Sequence, residues 1–440
     1  MGYQTRIFIT RAGSISGAGE GLLSTADLMG LSDGRQFVSL EEATTWLPFD
    51  LDLTLEFPTG EKRRKSNRNR RKVSLRDLAG VTVCPVQLTD AELAKRADVP
   101  KVKHDRHQFH AFIAADQVMD GVAIANPDRY ACVSATGGGG LLGHFQSTVT
   151  VLTGGRLKPS DNLKFLPNIV GGMIAARYGL RGPSETHATA CSASGDALNS
   201  LVRMILSGDA DGGLLIGTDA AISPIGIGTF FAQGALGDGL SFQNLERRGK
   251  GVGFAMGEGA GALLIESEAA MEKAGRKPLA EIVGHGSSSD ASRAGAITDP
   301  NAEGQSLSAA TALARAGVDL DDVSVVSVHG TATGGDVEEL KGLGLLKPAD
   351  LAQVLAVAPK TYFGHLLGAA SVLETIAGIG MLRDKRVVPT RALTADNLEP
   401  SCATVRHALQ PEPLAADALI LLNSFGFAGT NASRVIRGVG

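Results

Sequence analysis

A layered α/β fold is predicted by three observations: apolar runs of strand length, helix-length amphipathic segments between them, and 56 glycines in 440 residues. Runs that are apolar throughout belong to sheets covered on both faces, here by the intervening helices. Residues 6–10 (RIFIT) read as the first strand, and residues 130–134 (YACVS), ahead of four glycines at 137–140, as another. Residues 185–190 read as a short buried strand, and 213–217 and 261–265 as further buried ones. Residues 323–328 and 418–422 follow as later strands, with helices over 193–206 and 304–316 between the runs. Residues 31–100 are poorly periodic and predict loops and short elements, and the polar, glycine-containing stretch 237–253 predicts a loop. The glycine share, about twice the usual one, suits tight turns and close approach of backbones.

The chain carries 43% hydrophobic and 20% charged residues and a net charge of −4, values of a soluble globular protein with no overall bias toward nucleic acid or membrane. Its four cysteines, Cys84, Cys132, Cys191 and Cys402, form no CxxC pair and no zinc or disulfide pattern. This spacing suits a reducing compartment. The N-terminus lacks a signal-peptide layout and no run is long enough to span a bilayer, so a cytoplasmic location is expected.

Cys191 lies in Thr189-Ala190-Cys191-Ser192-Ala193-Ser194-Gly195, between a short strand and a periodic helix. A helix N-terminus stabilises a thiolate, and small neighbours leave room for an acyl group. A buried, inert cysteine is the common alternative. Position, neighbours and two histidine segments together favour a nucleophile; Cys84, Cys132 and Cys402 read as structural.

His329 follows the strand at 323–328 and precedes Gly330, Thr331 and Thr333. His365 lies between Gly364 and Leu366, just before a helix. Imidazoles at such junctions can hydrogen-bond a thioester carbonyl and stabilise a developing oxyanion or enolate. Lys360 and Glu374 flank His365 and are expected to form a buried ion pair that fixes it and sets its charge; a surface salt bridge is the alternative. His187 need not approach the sulfur, and His104, His107 and His110 lack accompanying ligands for a metal.

These motifs resemble those of the β-ketoacyl synthases, the decarboxylating condensing enzymes with the thiolase fold. The likeness rests on Thr189–Ser192, on His329 to Thr333 with Asp336 and Glu339, on Lys360 to Ala370 with Glu374, and on Asn423 to Asn431. Weaker matches lie at 178–184 and 257–261. The resemblance runs from about residue 130 to the C-terminus and more loosely over residues 7–17. It implies a layered α-β-α-β-α fold of two pseudo-duplicated halves, at 1–266 and 267–440, the first carrying the irregular basic insertion at about 31–100. It further implies an elongating synthase: Cys191 takes an acyl group from acyl carrier protein, His329 and His365 bind malonyl on a carrier protein, and decarboxylation gives the enolate that attacks the acyl-cysteine. Lys360 and Glu374 would organise His365. The N–H groups of Cys191 and Phe427 would form the oxyanion hole, and Phe427 would gate the channel with Gly426 and Gly429 as hinges. Thr331 and Thr333 would line the substrate site. No metal or organic cofactor is required.

Such enzymes work as dimers, so a homodimer is expected, or a heterodimer with a chain-length-factor-like subunit. A non-catalytic subunit of that kind would lack the nucleophile that Cys191 supplies. A thiolase would want a second cysteine near the C-terminus, and acyl-CoA-primed synthases pair histidine with asparagine; neither fits. Four features depart from the family pattern: residues 245–254 lack the usual Asp and Arg-Asp pattern, the first histidine motif is one residue short before Asp336, Ala428 replaces a glycine, and the N-terminal third, with its basic run, is longer than usual. An acidic carrier protein calls for a basic dock. Lys101, Lys103, Arg106 and His107 are one candidate. The run from Lys62, Arg63, Arg64 and Lys65 to Lys72 is the other, with a solvated insertion as its alternative. No interleaved aromatics mark that run for nucleic acid.

Overall fold

The computed structural model describes residues 5–21, 23–51, 75–99, 104–291, 300–347 and 350–439. Ten strands build its centre. The first five are β1 (Ile7–Ser16), β2 (Tyr130–Ala135), β3 (Ser184–His187), β4 (Gly212–Ala220) and β5 (Met256–Ser267). The second five are β6 (Ala280–Ser289), β7 (Val325–Ser327), β8 (Leu355–Val357), β9 (Leu419–Gly426) and β10 (Thr430–Arg437). The first set lies in the order β1-β5-β4-β2-β3 and the second in the order β6-β10-β9-β7-β8. In both, the first two pairings are antiparallel and the last two parallel. The pseudo-duplication is thus written in strand order and direction. Strands β1 and β6 join the two halves edge to edge through Phe8↔Glu281 and Ile9↔Ala280.

Five helices complete the layers: α1 (Arg106–Met119), α2 (Ala193–Ser207), α3 (Ala302–Ala316), α4 (Gly335–Leu346) and α5 (Ala370–Asp384). Helix α1 covers β1, β4 and β5 from outside, and α3 covers β6 and β10. Helices α2 and α5 lie between the halves: α2 touches β2, β4 and β10, and α5 touches β5 and β9. Their composition explains the placement, for α5 is buried at every residue from Ala370 to Leu382, as a helix with sheet on both sides must be. Gly217 and Gly261 face each other across β4 and β5, and a Cβ on either would meet Val372 of α5 at 2.9 and 2.8 Å. These glycines let the central helix lie close on the sheet.

Helix boundaries follow the capping chemistry. Asp105 caps α1 in a capping box with Gln108, Asn301 caps α3, and Gly208 and Gly317 end α2 and α3 in the left-handed conformation. The strand at 184–187 departs from expectation: it is an edge strand with Ser184 and Glu185 exposed and Thr186 and His187 partly buried. The stretch 237–253 is a loop with one short helix, Leu245–Arg248, and a 3-10 turn. Lacking the acidic residues expected there, it is held by Arg248, which pairs with Asp238 and donates to the Gly251 carbonyl at 2.6 Å. Among the described residues, no helix is long and apolar enough to cross a membrane.

Candidate active site

Cys191 sits in a sharp elbow. Ala190 has φ +51°, a 3-10 turn runs over Ala190–Ser192, and the 15-residue helix α2 follows. A non-glycine residue in the left-handed region is strained and persists only where its surroundings impose it. Ser192 helps impose it, donating to the Thr189 carbonyl at 2.9 Å. The second half repeats the device: Leu367 has φ +47°, a 3-10 turn runs over Leu367–Ala369, and the 15-residue helix α5 follows. His365 stands two residues before this second elbow. It is pinned to the start of β5, its N–H donating to Ala255 O at 2.8 Å and its carbonyl accepting from Gly257 N at 3.0 Å.

Asp219, at the end of β4, ties the second elbow to the glycine turn that follows β2. One of its oxygens accepts from both Gly137 N and Gly368 N at 2.7 Å, and the other from Thr136 Oγ1 at 2.7 Å. Sequence reading gave this residue no role; the signal available was a lone carboxylate closing an apolar strand.

His329 follows β7, and carboxylates of α4 fasten its backbone. Glu339 accepts from His329 N at 2.9 Å and Gly330 N at 3.4 Å, and Asp336 accepts from Thr331 N at 2.8 Å and Ala332 N at 3.1 Å. Asp336 therefore fills its place despite the shortened motif. Burial pushes the Glu339 carboxyl up to about 7, against the amides it accepts from.

The three reactive side chains share one cavity of about 710 Å³, with Thr331, Thr333 and Phe427 also on its wall. His365 Nε2 lies 3.1 Å from Cys191 Sγ, and the rings of His329 and His365 stand edge to face, 5.7 Å apart. Phe254 packs edge-on against His365 at 4.8 Å. Lys360 is buried and paired with Glu374, so the ion pair is internal rather than on the surface. Its contact differs from expectation: Lys360 Nζ donates to His329 O at 2.6 Å and faces His329 Nδ1 at 3.4 Å, and among the described residues His365 Nδ1 has no hydrogen-bond partner. An ammonium facing Nδ1 makes that nitrogen the acceptor, which leaves the proton on Nε2.

Burial, then the charge of Lys360, holds both imidazoles well below the usual histidine range, so both are neutral. The Cys191 thiol also differs from expectation. Burial pushes it up to about 12, while Lys360 and the N–H groups of Phe427 and Cys191 pull the other way. Desolvation outweighs the helix N-terminus, and the resting sulfur is a thiol. The N–H groups of Phe427 and Cys191 nevertheless both address this sulfur, where an oxyanion hole is needed.

The segment Gly426–Gly429 is a tight turn, with Gly429 N donating to Gly426 O at 3.1 Å and Asp290 N donating to Gly429 O at 2.9 Å. Ala428 takes φ +67° and Gly429 φ +74°. The Phe427 ring leans on Phe230 at 6.0 Å.

Arg106 is not a docking residue. Its side chain is 1% exposed, bound to Glu258 and Asp90 at 2.8 and 2.9 Å, and it donates to Val86 O at 2.7 Å. His107 is buried against Asp105 at 2.8 Å. Lys101, Lys103, Lys62, Arg63, Arg64 and Lys65 lie outside the described residues. His104 packs against Phe112, away from any shared metal position, and among the described residues no group of three or more His, Cys, Asp or Glu side chains could hold a metal ion. Cys84, Cys132 and Cys402 are buried free thiols away from the cavity lining.

A duplicated, layered α/β fold with a cysteine and two histidines meeting in one cavity defines a condensing enzyme of the thiolase-like class. Residues 51–270 match the β-ketoacyl synthase N-terminal domain and residues 279–394 its C-terminal domain. The chain belongs to the β-ketoacyl synthase family and is an acyl-transferring condensing enzyme. It is 33% identical over 331 residues to "3-oxoacyl-[acyl-carrier-protein] synthase 2" of Rhizobium meliloti (strain 1021), covering 73% of this chain and 75% of that protein. It is 32% identical over 320 residues to the protein of that name from Coxiella burnetii (strain RSA 493 / Nine Mile phase I), covering 71% and 76%. The fold is shared with the ishigamide ketosynthase/chain length factor, at TM-score 0.78 and 24% identity over 99% of this chain and 100% of that one. It is shared too with AntDE:AntF, a type II PKS acyl-carrier protein in complex with its ketosynthase, at TM-score 0.76 and 21% identity over 99% and 100%.

Proposed function

We propose that Cys191 carries the acyl group and that His329 and His365 bind the malonyl thioester in a decarboxylative condensation on acyl carrier protein. The observation that carries this reading is His365 Nε2 at 3.1 Å from Cys191 Sγ, in one cavity with His329. The sulfur attacks the acyl-carrier thioester; a new C–S bond forms at Cys191, and the carrier thiol leaves with the proton. Once the sulfur is acylated, Nε2 of His365 is free to donate to the malonyl carbonyl beside Nε2 of His329. The malonyl C–C bond breaks, CO₂ leaves, and the electron pair becomes an enolate held by two neutral donors. The enolate carbon attacks the acyl carbonyl, whose oxyanion meets the N–H groups of Cys191 and Phe427. The C–S bond then breaks, Cys191 regains a proton, and a 3-ketoacyl-carrier two carbons longer departs.

Lys360 positions His329, and Glu374 balances its charge. Thr331 and Thr333 line the malonyl side, with Gly426, Ala428 and Gly429 shaping the gate. The partner is acyl carrier protein, in a reducing, cytoplasmic setting that suits four free thiols. A second thiolase-fold subunit, identical or chain-length-factor-like, suits the open edge of β3 and the exposed Val151, Leu152 and Leu157. The domain division is placed at 266/267, one residue before the end of β5.

Intact-mass analysis after incubation with acyl-carrier protein tests this reading. An acyl adduct that vanishes in Cys191→Ala is expected. No adduct at any chain length points instead to a non-catalytic subunit.

A further inference from the structure

Beside Cys191 the chain is packed closed by a segment that lies ahead of most of the family match. Residues 38–51 reach the body of the enzyme through a two-residue strand: Val38 and Ser39 pair with Val83 and Thr82, and Val83 pairs with Met256 at the start of β5. Ser39 caps the short helix Leu40–Ala43, whose first N–H groups donate to Val81 O at 2.8 Å and Ala79 O at 2.9 Å. Further along, the carbonyl of Trp46 accepts from Arg106 at 3.4 Å.

The apolar side chains of this segment are spent on one place. Leu40, Ala43, Leu47 and Leu51, with Leu78 and Val83, form a single cluster with Cys191, Ile222, Ile227, Phe254, Met256 and Leu367. The cavity holding the histidines meets this cluster at Cys191, Phe254 and Ala235, and its lining includes no residue of 38–51. The two sides of the sulfur therefore differ in chemistry. The cavity side offers His329, Thr331, Thr333 and Asp336, which suits a polar carrier arm and a malonyl group. The other side offers the hydrocarbon of this cluster, which suits the tail of an acyl chain. That tail gains room only where cluster side chains yield it.

We propose that the segment 38–51, with Leu78 and Val83, forms the far wall of the acyl site and limits the length of acyl group that Cys191 accepts. The match to the N-terminal family domain begins at residue 51, so Leu40, Ala43 and Leu47 lie ahead of it. The proposal rests on Cys191 as the acyl-bearing residue. The wall is held by two backbone hydrogen bonds, a two-residue ladder and the Arg106 contact, so it resists a long chain without being part of the sheet core.

The test is acylation of the full chain with carrier-protein thioesters from acetyl to palmitoyl, read by intact mass and peptide mapping. Leu47→Ala and Leu40→Ala are expected to move the preferred acyl group to a longer one, each added methylene being worth roughly fourfold in acylation rate. Leu47→Phe is expected to move it shorter. Acylation of Cys191 with the parent length profile in all three variants overturns the proposal. Should Leu47→Ala fail to fold, the milder Leu47→Val and Leu47→Met series decides by the same profile. Failure of the parent to acylate at Cys191 with any thioester refutes instead the assignment of the nucleophile.

Discussion

The Lys360 ammonium donates to the backbone carbonyl of His329 at 2.6 Å while paired with Glu374 of α5. It thereby anchors the histidine of one loop to the helix that follows the other. Lys360→Met leaves the Glu374 carboxylate buried and unpaired, and should cost about 3–5 kcal/mol of stability. Lys360→Met with Glu374→Gln should recover much of that stability but not malonyl decarboxylation. Chemical denaturation and CO₂ release check the two arms separately.

His329→Ala should lower decarboxylation by roughly 10²–10³-fold, the usual cost of one oxyanion donor, while Cys191 is still acylated. Decarboxylation at the parent rate in this variant would show that His329 does not hold the enolate.

Because burial holds the Cys191 thiol at about 12, alkylation by iodoacetamide should keep rising from about pH 7 to about pH 10. A plateau near neutral pH would reveal a preformed thiolate. The histidines act on stability in the opposite range. Folding depresses both imidazoles, so the unfolded chain binds protons that the folded chain does not. Their contribution is therefore full above about pH 6.5 and lost as pH falls below it, which denaturation midpoints at several pH values will show.

Arg106→Leu strands the Glu258 carboxylate in the core and should destabilise by about 3–5 kcal/mol. The salt dependence of KM for acyl carrier protein should not change, whereas a docking arginine would reduce it.

Gly429→Ala places a Cβ 2.6 Å from Asp290 Cβ at a residue with φ +74°. The turn that aims Phe427 N–H at the sulfur must then shift, and acylation should slow by about tenfold or more. Ala428→Gly removes strain of about 1 kcal/mol without a clash and should leave the acylation rate within about threefold. Stopped acylation assays of the pair separate aim from strain.

The sequence made local order readable and distant pairing not. Helices α2 and α3 announced themselves as amphipathic segments of helix length, and Cys191 by small residues at a helix start. Arg106 misled because its partner Glu258 lies 152 residues away, and without that carboxylate a run with Lys101 and Lys103 reads as surface. Lys360 stands beside His365 in sequence but reaches His329, 31 residues back, because β7 and β8 lie side by side. Local pattern could suggest a thiolate at a helix N-terminus; only packing shows how far desolvation outweighs it.

The duplicated elbows carry an asymmetry. Cys191 is the middle residue of the first 3-10 turn, and Gly368 is the middle residue of the second. A Cβ on Gly368 would lie 2.2 Å from Gly137 N, with Asp219 close behind at 2.9 Å. The second half thus keeps the geometry of a nucleophile seat but bars any side chain from occupying it. One turn geometry serves as two tools: an armed seat in the first half, and in the second a blank one that sets His365 beside the occupant of the other.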